Sequence, residues 1–107
     1  MSTRAGTKTG TGTEVLEKSK TKVKRPRQYQ VVLLNDDYTS MDFVVAVLES
    51  IFQKSPAEAV QIMLSVHHKG SGVCGIYTKE IAEAKIEAVH RKARENGFPL
   101  KATMEAV

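Results

Sequence analysis

The sequence predicts an α+β sandwich, a small sheet with helices packed on one face. Two observations lead there. Apolar periodicity switches between a period of two and a helical period in the order β-α-α-β-α-β. A chain of 107 residues with one Cys and no Trp also has material for one small core and no second.

Residues 1–13 are mostly Thr, Gly, Ser and Lys, and residues 14–28 set Val15, Leu16 and Val23 among charges. That composition cannot offset the entropy of ordering. Residues 1–27 are therefore expected to form a flexible basic extension and residues 28–107 the domain. Tyr29 to Leu34 reads as the first strand, its apolar run continuous enough for burial on both faces. A helix follows, with Thr39 as the expected cap and Asp42 three residues on. Met41, Val44, Val45, Leu48, Ile51 and Phe52 keep helical spacing, and the helix should end near Lys54.

Ser55-Pro56-Ala57-Glu58 is a stronger start signal: a cap, Pro at the first helical position and Glu three residues after the cap. The second helix places Ala59, Ile62, Met63 and Val66 on one stripe and stops at Gly70. Gly70-Ser71-Gly72 is a turn, and Val73 to Tyr77 is the second strand. Thr78 caps a third helix from Lys79 to Asn96, with Ala82, Ile86, Val89 and Ala93 facing inward and Gly97 as the terminating residue. Leu100, Ala102 and Met104 alternate with Lys101, Thr103 and Glu105, the pattern of a half-buried strand.

Charge is unevenly placed. Residues 1–28 hold eight Lys/Arg against two Glu, while residues 29–107 hold eight Lys/Arg against ten Asp/Glu. The formal +4 of the chain therefore belongs to the extension, and the domain is slightly acidic. A small nucleic-acid-binding protein acting through its basic tail is the alternative reading, but a binding domain of that class should carry its own basic face. No run approaches the roughly 18 apolar residues of a membrane span, and no signal-peptide core is evident. A lone Cys74 makes no internal disulfide, which points to a reducing, cytoplasmic setting.

Nothing reads as catalysis. His67, His68 and Cys74 do not match the ligand count or spacing of a zinc site, so neither metal nor cofactor is expected. Cys74 lies between Val73 and Gly75 in an apolar strand, the place of an inert core thiol. Asp36 and Asp37 are paired carboxylates without a second polar constellation to complete an active site.

What stands out is Leu34-Asn35-Asp36-Asp37-Tyr38-Thr39, where an apolar strand ends in a cluster of acceptor oxygens. Asn and Asp are common at turns because their side chains bond the local backbone. Such a corner also suits a small cation, a free α-ammonium group among them. If the first two helices pack together, Met41, Val44, Met63 and Val66 line an apolar hollow with Asn35, Asp37 and His67 at its mouth.

These residues carry a resemblance. Val32-Leu33-Leu34-Asn35-Asp36-Asp37-Tyr38-Thr39, Gln61-Ile62-Met63-Leu64 with Val66-His67, Gly72-Val73-Cys74-Gly75-Ile76-Tyr77-Thr78 and Pro99-Leu100-Lys101-Ala102-Thr103-Met104-Glu105 resemble the ClpS adaptor family in register. The likeness spans essentially residues 28–106. It implies a three-stranded antiparallel sheet with three helices on one face. It also implies a non-enzymatic, monomeric adaptor that binds proteins with a free N-terminal Phe, Tyr, Trp or Leu, called N-degrons. The adaptor delivers them to the ClpAP protease and modulates ClpA substrate choice, with neither nucleic acid nor membrane as a partner.

The resemblance assigns α-amino binding to Asn35, Asp36, Asp37 and His67. It assigns the hydrophobic specificity pocket to Leu34, Thr39, Met41, Val44, Met63, Val66 and Leu100. Docking on the N-terminal domain of the ClpA unfoldase maps onto Glu80 and Lys85. Ser40 stands where the family usually has Pro, which is expected to loosen the loop before the first helix.

Overall fold

Six elements occur in the expected order, and the computed structural model describes residues 25–107, so most of the expected flexible extension lies outside the described residues. They are β1 (Gln28–Leu34), α1 (Met41–Ser50), α2 (Pro56–Lys69), β2 (Ser71–Thr78), α3 (Lys79–Glu95) and β3 (Lys101–Ala106). The most apolar strand, β1, takes the centre of an antiparallel sheet ordered β2-β1-β3. Val31 and Leu33 are fully buried in one core with Phe43, Val47 and Leu48 of α1, Ala59 and Val66 of α2, and Val89 and Ala93 of α3. Val32 lies outside that core, opposite Val73 and Thr103, yet is only 5 % exposed. The expectation of burial on both faces of β1 holds.

Between β1 and β2 the register slips, so that Val31 faces Gly75 and Val32 faces Val73. Cys74 is the extra residue of this bulge, and it is fully buried in the core. Gly72 answers a different demand. A Cβ there would stand 2.8 Å from Val66 Cγ2 and 3.1 Å from the Ile62 carbonyl oxygen, so α2 lies against β2 at this point because Gly72 has no side chain.

Local chemistry fixes the helix ends. Ser55 and Glu58 form the reciprocal capping box that starts α2, as expected. Gly97 takes a left-handed φ of 77°, and the Phe98 and Gly97 N–H groups donate to the Ala93 and Arg94 carbonyls to close α3. Phe98 then packs on Phe43 with ring centroids 4.8 Å apart, which joins the end of α3 to α1.

Some boundaries differ from expectation. Ser40, not Thr39, caps α1, its hydroxyl accepting from the Phe43 N–H at 3.1 Å. Its hydroxyl thus ties the end of this loop to the first turn of α1. Helix α1 stops at Ser50, well before Lys54, because Gln53 turns left-handed at φ 53° and the Lys54 N–H reaches back to the Leu48 carbonyl. Thr78 occupies the cap position of α3 but makes no side-chain capping hydrogen bond. Strand β2 starts at Ser71 because Ser71 pairs with Leu34, which extends the strand into the expected turn.

Candidate functional site

The loop joining β1 to α1 is built around Asp36. Its Oδ1 accepts from the Tyr38 N–H at 2.8 Å and the Thr39 N–H at 2.7 Å, and its Oδ2 accepts from the Thr39 hydroxyl at 2.7 Å. Partial burial pushes the Asp36 carboxyl up. The hydrogen bonds from the Thr39 hydroxyl, the Thr39 N–H and the Tyr38 N–H outweigh it and hold the group below its ordinary value. Asp36 is thereby committed to shaping the loop.

Asn35 is placed differently. Its N–H donates to the Gly70 carbonyl at 2.9 Å, which ties the start of this loop to the end of α2. Gly70 can terminate α2 there because it adopts a left-handed φ of 92°. This bond brings the Asn-Asp-Asp corner beside the last turn of α2, where His67 stands. Among the described residues, the Asn35 amide, the Asp37 carboxylate and the His67 ring make no side-chain hydrogen bond.

Between this loop and the first two helices lies a hollow of about 420 Å³, lined by Asn35 to Met41 and by Val44, Met63, Val66 and His67. The size suits a side chain or small ligand. Its floor is apolar: Val44 and Val66 are buried and Met63 is half-buried. Met41 is 46 % exposed and Tyr38 79 % exposed, so both stand toward the rim. The polar lining includes Asn35, Asp37 and His67 as uncommitted acceptors beside a greasy cavity, with Asp36 already engaged by Tyr38 and Thr39.

The chain matches a known family. The family model described as ATP-dependent Clp protease adaptor protein ClpS matches residues 24–103. The chain belongs to the ClpS family. Curated ClpS relatives agree. The chain is 62 % identical over 85 residues to the ClpS of Oleidesulfovibrio alaskensis, covering 79 % of this chain and 82 % of that protein. It is 53 % identical over 102 residues to the ClpS 2 of Bradyrhizobium diazoefficiens, covering 95 % of this chain and 93 % of that one. Among solved structures, Agrobacterium tumefaciens ClpS2 bound to L-phenylalaninamide superposes with a TM-score of 0.75 at 40 % identity, over 78 % of this chain and 100 % of that chain. ClpS proteins are adaptors of the Clp protease, an adaptor family and not a catalytic one.

Within this ClpS chain the expected pocket residues do not all converge. Thr39, Met41, Val44, Met63 and Val66 line the hollow, whereas Leu34 and Leu100 do not. Leu34 ends β1 half-buried, and Leu100 is buried beside a separate groove with His90, Ala93, Arg94 and Phe98. Tyr38 and Ser40 join the lining although the sequence reading assigned neither to the pocket. Their signal was adjacency to the Asn-Asp-Asp triplet, which a search for acceptors and apolar spacing passes over.

Glu80 and Lys85 meet at a third surface, a groove of about 450 Å³ between α1 and α3 with Ser50, Ile51, Ile81, Ala84 and Ala88. The Lys85 ammonium is not free there; it donates to the Ile51 carbonyl at 2.6 Å and to the Gln53 side chain at 3.0 Å. Cys74 is a core thiol, pushed up to about 12 by burial. Among the described residues no three His, Cys, Asp or Glu side chains gather as a metal site, and no helix is long and apolar enough to cross a membrane.

Proposed function

We propose that the hollow receives the free N-terminus of proteins beginning with Phe, Tyr, Trp or Leu, and that this adaptor hands them to ClpAP. The observation that carries the reading is the juxtaposition of unsatisfied acceptors with an apolar floor in one cavity. An α-ammonium has three N–H donors and wants about three acceptors, one of them charged. The Asn35 oxygen, the Asp37 carboxylate and a neutral His67 nitrogen supply that set, directly or through water. Asp36 supports them by holding the loop.

The side chain of the first residue then enters between Val44, Met63 and Val66. Burying it contributes about 1.5–3 kcal/mol. Each charge-assisted hydrogen bond adds about 1.5–3 kcal/mol, and these gains together oppose the cost of association. Met41, at the rim, sets which shapes pass. The ligand of the Agrobacterium relative, L-phenylalaninamide, has the same two features, an α-amine and an aromatic side chain.

Docking on the N-terminal domain of ClpA is assigned to the groove between α1 and α3. Its apolar residues Ile81, Ala84 and Ala88 lie beside Glu80 and Lys85. Residues 28–107 act as the binding domain and residues 1–27 as an extension, in a cytoplasmic monomer.

Fluorescence polarisation with a labelled peptide beginning in Phe, run beside its N-acetylated twin, tests the reading. Binding of the free amine alone, lost in Asp37→Ala, is the expected result. Equal binding of both peptides, or of neither, overturns it.

A further inference from the structure

Tyr38 is a large aromatic side chain at the rim of the hollow, 79 % exposed, with no hydrogen bond from its phenol among the described residues. Exposed rings on mobile loops are unremarkable, but this one is not on a loose backbone. Its own N–H and the next one both donate to Asp36 Oδ1, at 2.8 and 2.7 Å, and Ser40 starts α1 directly after. The backbone that carries the ring is thus held on both sides. The fold exposes this aromatic surface to solvent on a held backbone, at the edge of a cavity, without using it in the core.

We propose that Tyr38 is a specificity-determining platform for the second residue of the bound chain. The proposal rests on the reading of the hollow as a site for a free N-terminus. With the amine on Asn35, Asp37 and His67 and the first side chain on Val44 and Val66, the first carbonyl leaves through the mouth. The residue after it then meets the rim, where Tyr38 and Met41 offer exposed apolar surface. A flat ring with a largely open face takes an apolar side chain by contact area and needs no hydrogen-bond partner. Because Asp36 already holds the backbone, binding has only the Tyr38 side chain left to order.

Calorimetry with two probes separates the platform from the pocket. Phenylalaninamide ends before the rim, and Phe-Leu-amide extends one apolar residue past it. In the unsubstituted protein the Leu should tighten binding. In Tyr38→Ala that gain should fall by roughly three- to tenfold in affinity, beyond any loss that phenylalaninamide itself shows. Tyr38→Phe should keep the gain, because the ring and not the hydroxyl makes the contact.

Equal weakening of both probes in Tyr38→Ala would place Tyr38 inside the primary pocket and overturn the platform. An unchanged gain from Leu, or loss in Tyr38→Phe as large as in Tyr38→Ala, would overturn it too. If the unsubstituted protein holds neither amine, the pocket reading fails first, before any variant is compared, and the platform fails with it.

Discussion

The ammonium of Lys85, on α3, donates to the carbonyl oxygen of Ile51, just past the end of α1, at 2.6 Å. The same nitrogen donates to the Gln53 side chain and lies 5.9 and 5.5 Å from the Phe52 and Tyr77 ring centroids. Carbonyls in the last turn of a helix lack intrahelical donors, and a cation there satisfies one while opposing the helix dipole. Lys85 therefore binds the end of α1 to α3, whatever it does for a partner.

Lys85→Met should keep the aliphatic stem and lose that bond. Urea unfolding is expected to show a loss of about 1–2 kcal/mol, the scale of a charge-assisted hydrogen bond less its ordering cost. An unchanged midpoint would mean that Lys85 is spare for docking. Partner-binding assays on Lys85 variants need this control, since a weakened α1 end changes the groove itself.

Asp36 predicts a pH dependence. Its carboxyl is held below the ordinary value of 3.8, despite some burial, by the bonds from Thr39 and Tyr38. A depressed folded-state value contributes stability that is present above the unfolded value and lost as pH falls through the folded one. The stability difference between the unsubstituted protein and Asp36→Ala should thus be constant near neutrality and shrink below about pH 4. A difference independent of pH would show that the loop does not rely on the charged form. At neutral pH Asp36→Ala should also weaken amine binding by loosening the loop that carries Asn35 and Asp37.

Gly72→Ala should be costly although alanine is small. Its Cβ would fall 2.8 Å from Val66 Cγ2 and 3.1 Å from the Ile62 carbonyl oxygen, and the latter is backbone. Overpacking of this kind costs about 1–3 kcal/mol. Because Val66 floors the hollow, binding should fall along with the unfolding midpoint. Wild-type values for both would show that α2 can shift without consequence.

Cys74 should resist chemistry. Burial raises the thiol from 9.0 to about 12, against smaller opposing effects from the Leu33 backbone and Lys54. Iodoacetamide near pH 8 should label it in urea and leave it untouched when folded. For a group raised in the folded state, stability is complete below the unfolded value, here 9.0, and declines as pH climbs toward about 12. Rapid labelling of the native protein would contradict its place in the core.

The element order was legible because periodicity and start signals reflect local physics. The Ser55–Glu58 capping box, the Gly97 terminus and the alternation of Leu100, Ala102 and Met104 all appear where the chain sequence puts them. The first helix was less legible. Thr39 and Ser40 are both good caps by type, and the choice fell to Ser40 because Asp36 takes the Thr39 hydroxyl. The end of α1 was set by the turn at Gln53, which no spacing rule announces.

By itself, the sequence determined the strand and helix order, the apolar stripes and the acceptor-rich corner, since each depends on residues a few positions apart. Only the tertiary structure decided which acceptors stay open. Folding brings Asn35 to Gly70 and so to His67, spends Asp36 on the loop, excludes Leu34 and Leu100 from the hollow and leaves Tyr38 on its rim. Those outcomes depend on hydrogen bonds and packing between segments distant in the chain, where a residue's type fixes what it can do and its neighbours fix what it does.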